Sequence, residues 1–251
     1  MPSEHVRRNR ADWNRESDAY QERHGPQLDT KPLAWGIWAI PEAELGALGD
    51  FGGKRILELG CGAAQWAVFL SERGGQPVGM DLSERQLANA RPRIEGSGQS
   101  VPLVQGDAEN LPFADASFDL VFCDHGATSF SDPHASIPEA ARVLRPGGLF
   151  VFNIISPIHD LCFDEKLDRA GHELVEDYFD LRTFDEGDDG GVSFQLGYGD
   201  WLRVFRDAEL ELIELIEPRP PVGATTTYRS FEGLDWARRW PMECLWRLRR
   251  R

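Results

Sequence analysis

The sequence predicts one α/β domain built on a doubly wound, mostly parallel sheet, with an N-terminal helical lid and a C-terminal insertion. Three observations carry this expectation. Strand and helix signals alternate between residues 54 and 155, the first strand there runs into a glycine-rich turn, and the next strand ends on a carboxylate, Asp81. Strands that alternate with helices pair in parallel through right-handed crossovers, which cover both faces of the sheet.

The elements follow in order. Residues 1–53 form the lid: Trp13 and Tyr20 lie on one face of a helix, Trp35-Gly36-Ile37-Trp38 follows, Pro41-Glu42 opens a short helix, and Asp50-Phe51-Gly52-Gly53 turns. Residues 54–155 form the α/β core. Its strands are Arg55 to Leu59, Pro77 to Met80, Pro102 to Gln105, Phe118 to Cys123 and Leu149 to Ile154. Phe118 to Cys123 is apolar nearly throughout, as a strand covered on both faces should be. Its helices are Gln65 to Glu72, Ser83 to Arg91 with Ser83 as N-cap, and Ile137 to Leu144, after which Arg145-Pro146-Gly147-Gly148 turns. Residues 156–251 are expected to complete the sheet. The run Asp185-Glu186-Gly187-Asp188-Asp189-Gly190-Gly191 reads as a surface loop or hairpin turn, Trp201 to Ala208 as a helix, and Glu211 to Glu217 as an edge strand. Trp236 to Arg250 reads as a terminal helix or coil, with its arginines at a solvated end.

Composition narrows the function. A chain of 251 residues with net charge −15 repels phosphate backbones and anionic membranes, so nucleic acid and membrane are poor partners. No apolar run approaches a membrane span of ~20 residues, and the N-terminus lacks the apolar stretch of a signal peptide. Cys61, Cys123, Cys162 and Cys244 form no CxxC pair and have no His cluster beside them, which predicts reduced buried thiols, no metal site and a cytoplasmic protein.

The chemistry concentrates at Glu58-Leu59-Gly60-Cys61-Gly62-Ala63-Ala64. Glycines in a strand-to-helix turn let backbone approach a ligand where a Cβ would obstruct it. Asp81 lies nineteen residues beyond Gly62, where a carboxylate takes both hydroxyls of a ribose. A dinucleotide site shares both features, but its third glycine is missing and Glu58 would repel a pyrophosphate. A carboxylate before the turn suits a cofactor with a positive amino group.

Taken in order and spacing, five segments resemble the motifs of class I S-adenosylmethionine-dependent methyltransferases: Ile56 to Ala64, Val78 to Ser83, Gly106-Asp107-Ala108, Phe118-Asp119-Leu120-Val121, and Leu144-Arg145-Pro146-Gly147-Gly148. The nearest branch is the small-molecule, ubiquinone/menaquinone-type group. The resemblance covers about two fifths of the chain and departs at Ala64, where the family usually has glycine.

This resemblance implies a Rossmann-like methyltransferase fold and S-adenosylmethionine as cofactor, with S-adenosylhomocysteine as product. Gly60, Cys61 and Gly62 would touch the methionine part through backbone, and Glu58 would hold its amino group. Asp81 would take the ribose, Leu82 would pack on the adenine, Asp107 would accept from the adenine amino group, and the Ala108 N–H would donate to the ring. Asp124, Gln65 and Gln86 complete the implied cofactor set, with Tyr20 over the carboxylate and Trp35 or Trp38 as a wall.

An activated sulfonium needs alignment and desolvation more than covalent help. A hydroxyl or carbon acid acceptor must lose a proton, and His125, at the mouth of the site, is the candidate base, with His159 second. Phe194, Tyr198, Trp201, Tyr228, Trp236 and Trp240 are candidates for an acceptor pocket, though ordinary packing would use the same rings. The expected function is direct methyl transfer to oxygen, nitrogen or carbon of a small molecule. A non-catalytic cofactor-binding scaffold or sensor, and an NAD(P)-dependent oxidoreductase, stand as alternatives.

Overall fold

The computed structural model describes residues 2–31, 33–164, 166–167, 169–185, 187, 190–228 and 233–251. The elements are α1 (Glu4–Thr30), β1 (Ala34–Trp35), β2 (Ile40–Pro41), α2 (Glu42–Leu45), β3 (Arg55–Leu59), α3 (Gln65–Glu72), β4 (Gln76–Asp81), α4 (Glu84–Ser97), β5 (Leu103–Gln105) and β6 (Phe118–Asp124). After these come α5 (Ala127–Phe130), α6 (Pro133–Val143), β7 (Leu144–Ile155), α7 (Pro157–Cys162), β8 (Phe163–Asp164) and β9 (Arg169–Ala170). The chain closes with β10 (Thr183–Asp185), β11 (Val192–Phe194), α8 (Tyr198–Asp207), β12 (Leu210–Ile216), α9 (Leu234–Ala237) and β13 (Glu243–Arg250).

A seven-stranded sheet in the order β12-β13-β7-β6-β3-β4-β5 organises the molecule. The five core strands pair in parallel, as the alternation predicts, and β12 forms an edge. The predicted α3 and β3 hold to the residue. α4 begins after Ser83, whose hydroxyl accepts from Gln86 N–H at 3.1 Å, and α6 begins earlier than predicted, capped by Asp132. Arg145 to Gly148 bulges out of the β6–β7 ladder, where the register shifts between Phe118 and Leu120. Of the acidic run after Asp185, Glu186, Asp188 and Asp189 lie outside the described residues; the strands flanking it pair antiparallel.

One prediction is corrected. Most of the segment Trp236 to Arg250 is neither helix nor coil. After the short α9 it becomes β13, which inserts between β7 and β12, antiparallel to both. Both faces of this strand are covered. Cys244, Trp246 and Leu248 pack into the core with Phe150, Phe152, Trp201 and Phe205, while Leu245 packs on the other face with Trp35, Trp66 and Phe122. The arginines at its end are not a helix terminus; Arg250 donates to the carbonyls of Arg142 and Leu144. The pairing has a consequence for the site. Because β13 runs against β7, its first residue, Glu243, pairs with Ile155 at the carboxyl end of the parallel strands.

Helix α1 packs against α4 and β11. Along one flank it is tied to α4 by Arg85–Asp18 and Arg10–Glu84 ion pairs, and along the other to β11. There Asn9 is fully buried with its amide spent on the Val192 N–H, Val192 carbonyl and Phe130 carbonyl. All four cysteines are buried and unpaired. No helix among the described residues is long and apolar enough to cross a membrane.

Candidate active site

Two adjoining chambers lie between α1 and the carboxyl ends of β3, β4 and β6. The first is lined by Asp81, Leu82, Gln86, Asp107 and Ala108. The second, a cavity of about 420 Å³, is lined by Glu58, Cys61, Gln65, Gln21, His24 and Tyr228. Tyr20, Gly60, Gly62, Asp124 and His125 line both. The fold therefore gathers every cofactor residue expected from the sequence except the tryptophan wall, Trp35 or Trp38. The Trp35 indole is in the core against Trp66 at 4.8 Å, with its Nε1 donating to the buried Glu42 at 2.6 Å, and it lines neither chamber.

The glycine turn is held by backbone proximity. Gly60 has φ +70°, and a Cβ there would stand 2.4 Å from Ala127 N and 2.7 Å from Gly126 Cα. Gly126 is the reciprocal requirement, since its own Cβ would meet the Leu59 carbonyl at 2.7 Å. At Ala64 the backbone keeps the left-handed conformation at φ +59°, and the residue sits at the N-cap position of α3.

Three carboxylates surround this turn. Asp81 accepts from Gly62 N–H and Ser83 N–H, each at 2.8 Å, and burial pushes it up from its ordinary 3.8 to about 6 against those bonds. Burial likewise pushes Glu58 well above its ordinary range, although the Ala67 N–H near the start of α3 draws it down. Its Oε2 is buried with no partner among the described residues. Asp124 accepts from the Gly36 N–H and from Asn153 Nδ2 at 3.0 Å, so the N-terminal segment closes onto the end of β6.

Sequence reasoning missed the group that organises His125. Glu243, almost fully buried, accepts from His125 Nε2 at 2.5 Å, Asn153 Nδ2 at 2.9 Å and the Ile37 N–H at 3.1 Å. Burial opposes charge on both partners, but their mutual hydrogen bond and attraction prevail: His125 is raised and Glu243 lowered. The imidazole lines both chambers, with its Nε2 engaged by Glu243. Asn153, a lone amide in an apolar strand, was a visible signal. Glu243 gave none, because its strand was not predicted.

The other aromatic candidates divide. Tyr228 stacks on His24 with ring centroids 4.0 Å apart and hydrogen-bonds Tyr20 at 2.7 Å, forming a chamber wall. Phe194 and His159 line a third cavity beyond. Trp201 and Tyr198 belong to the sheet's core, and Trp38 and Trp236 to a separate apolar cluster; none of these lines the chambers. Trp240 lies away from the site under Arg239.

Residues 57–152 match the family described as "Methyltransferase domain". A crystal structure of an S-adenosylmethionine-dependent methyltransferase from Mesorhizobium loti superposes with TM-score 0.69 at 25% identity, over 83% of this chain and 96% of that one. The core of this chain is a class I S-adenosylmethionine-dependent methyltransferase domain. Demethylmenaquinone methyltransferase of Staphylococcus epidermidis is 40% identical over 102 residues, 39% of this chain and 42% of that protein. Fatty-acid O-methyltransferase of Mycolicibacterium smegmatis is 37% identical over 117 residues, 46% of this chain and 42% of that protein. The chain thus matches about two fifths of the length of these curated relatives.

The methyltransferase core suits its family's cofactor on chemical grounds. No Lys or Arg lines either chamber among the described residues, so a pyrophosphate would have no counter-charge. The unpartnered Glu58 oxygen and the Asp81 and Asp124 carboxylates suit a ligand that carries a sulfonium and an ammonium.

Proposed function

We propose that this chain is an S-adenosylmethionine-dependent methyltransferase that acts on a small-molecule acceptor in the cytoplasm. The observation that carries the reading is the Glu58 carboxylate, buried at the glycine turn with Oε2 unpaired among the described residues. A buried, unpaired carboxylate oxygen is costly unless a ligand cation completes it. Relatives named for demethylmenaquinone and fatty acids support a small-molecule acceptor.

S-adenosylmethionine supplies a methyl group already activated on sulfur. The chain's own residues then bind and orient. The Gly60–Gly62 backbone takes the methionine part with Glu58 on its ammonium, Asp81 takes the ribose hydroxyls, and Leu82, Asp107 and Ala108 hold the adenine. Gln65, Gln86, Cys61, Asp124 and Tyr20 close the surroundings. His125, oriented by Glu243, removes a proton where the acceptor is a hydroxyl or carbon acid. Residues 1–53 serve as lid, 54–155 as cofactor core, and 156–251 as the acceptor side of one domain.

Calorimetry with S-adenosylhomocysteine tests the donor half. The wild-type protein is expected to bind at micromolar concentration, and Asp81→Ala to weaken binding about 100-fold, the worth of two hydrogen bonds to a charged acceptor. Absence of binding at several hundred micromolar would sink the reading. Affinity should also fall with pH. Below about 6 Asp81 takes up a proton and loses acceptor capacity, so binding at pH 5 is expected to be about tenfold weaker than at pH 7.5. A flat profile would remove Asp81 from the ribose.

A further inference from the structure

The second chamber continues past the glycine turn. Through Ser129, Ile155 and Ser193 it meets the third cavity, of about 740 Å³. Ile154, Ile155, Phe163, Phe184 and Phe194 supply the apolar part of its wall. Its formal charges have one sign: Asp160, Glu176 and Asp185 line it, and among the described residues no Lys or Arg does. Asp185 is already neutralised by a two-pronged pair with Arg8. Asp160 and Glu176 have no Lys or Arg partner among the described residues.

Asp160 is held in place. Its Oδ2 accepts from Gln195 Nε2 at 2.8 Å, and its Oδ1 lies 3.4 Å from His159 Nδ1. Gln195 is 1% exposed, and the rest of its amide is spent on the Ile155 carbonyl, Trp201 Nε1 and the Leu196 N–H. A saturated buried amide thus fixes a carboxylate that keeps 19% of its side chain exposed. At the junction of the two cavities, the Ser129 hydroxyl is buried with no partner among the described residues.

We propose that this third cavity is the acceptor site, and that the acceptor is an amphipathic amine whose protonated amino group docks on Asp160 while its apolar body lies against the phenylalanine rings. The proposal rests on the methyltransferase reading of the adjoining chamber. An anionic acceptor would meet Asp160 and Glu176, then Glu58 and Asp124, without a counter-charge; a cationic one is drawn in by the same field. Aromatic faces add a cation–π attraction. Ser129 offers a hydrogen bond to the end of the acceptor nearest the donor.

The test uses the full chain saturated with S-adenosylhomocysteine and three probes with one body: 4-phenylbutylamine, 4-phenylbutan-1-ol and 4-phenylbutyrate. The amine is expected to bind at least about tenfold tighter than the alcohol, with the acid unbound at millimolar concentration. Asp160→Asn should bring amine and alcohol within about threefold of each other, with S-adenosylhomocysteine affinity unchanged. Glu176→Gln changes an exposed residue and serves as the variant that keeps the fold; it should reduce the amine preference about threefold. The proposal is overturned if the acid matches the amine, if none of the three binds, or if both variants keep the wild-type preference. Failure of S-adenosylhomocysteine to bind would instead overturn the donor reading, and the same amine titration of the ligand-free protein would still decide the cavity.

Discussion

Replacing Glu243 with leucine is expected to cost about 3–5 kcal/mol of stability, which lowers the melting temperature by roughly 10 °C for a chain of this size. The substitution leaves His125 Nε2, one Asn153 amide hydrogen and the Ile37 N–H without their acceptor in a buried setting. It also loosens the N-terminal segment, since Gly36 and Ile37 dock on Asp124 and Glu243 side by side. Glu243→Gln separates charge from shape. His125 is raised above its ordinary 6.5, so its share of the pair's stability is present below that value and is lost as pH rises through the raised one. Glu243 is lowered below its ordinary 4.5, so its share is present above 4.5 and is lost as pH falls through the depressed value. The glutamine variant should therefore lose most, relative to wild type, between about pH 4.5 and 6.5, and least above pH 9. Thermal melts at pH 5.5 and 9.5 check this, and an equal loss at both would refute the ion pair. Where the acceptor needs a base, the acidic limb of the rate profile should move to lower pH in the variant, because His125 loses the hydrogen-bonded carboxylate that raises it most.

Gly60→Ala is expected to destabilise by about 2–5 kcal/mol and to abolish S-adenosylhomocysteine binding. Left-handed backbone costs an L-residue about 1–2 kcal/mol. The larger part is steric: the new methyl would stand 2.4 Å from the Ala127 backbone nitrogen, and backbone there cannot move without shifting the turn after β6. Gly74→Ala is the control, because Gly74 has φ +86° with nothing within 4 Å of its Cβ position. If urea unfolding finds the two variants equally destabilised, close backbone approach does not hold the turn. Ala64 already indicates that left-handed geometry alone is tolerated in this loop.

Several local features were read correctly, although the Asp132 cap that starts α6 was missed. The β3 strand, the glycine turn, the α3 helix and the Ser83 cap each depend on residues within a few positions of one another, and each appears as expected. Glu58, Asp81, Asp107 and Asp124 were placed on one edge of the sheet because parallel strands joined by right-handed crossovers put their carboxyl ends together. Trp35 was misjudged because an aromatic near a lid serves equally as core, and only packing against Trp66 and Phe122 assigns it.

The sequence by itself therefore determined the α/β order, the carboxylates at the strand ends and the glycine turn. Tertiary structure alone decided that the last strand enters the sheet antiparallel to β7. With both of its faces covered and arginines at its end, β13 shows no clean alternation, and its pairing partners lie about ninety positions away in the chain. That non-local register sets Glu243 on His125, and no neighbouring residue encodes it.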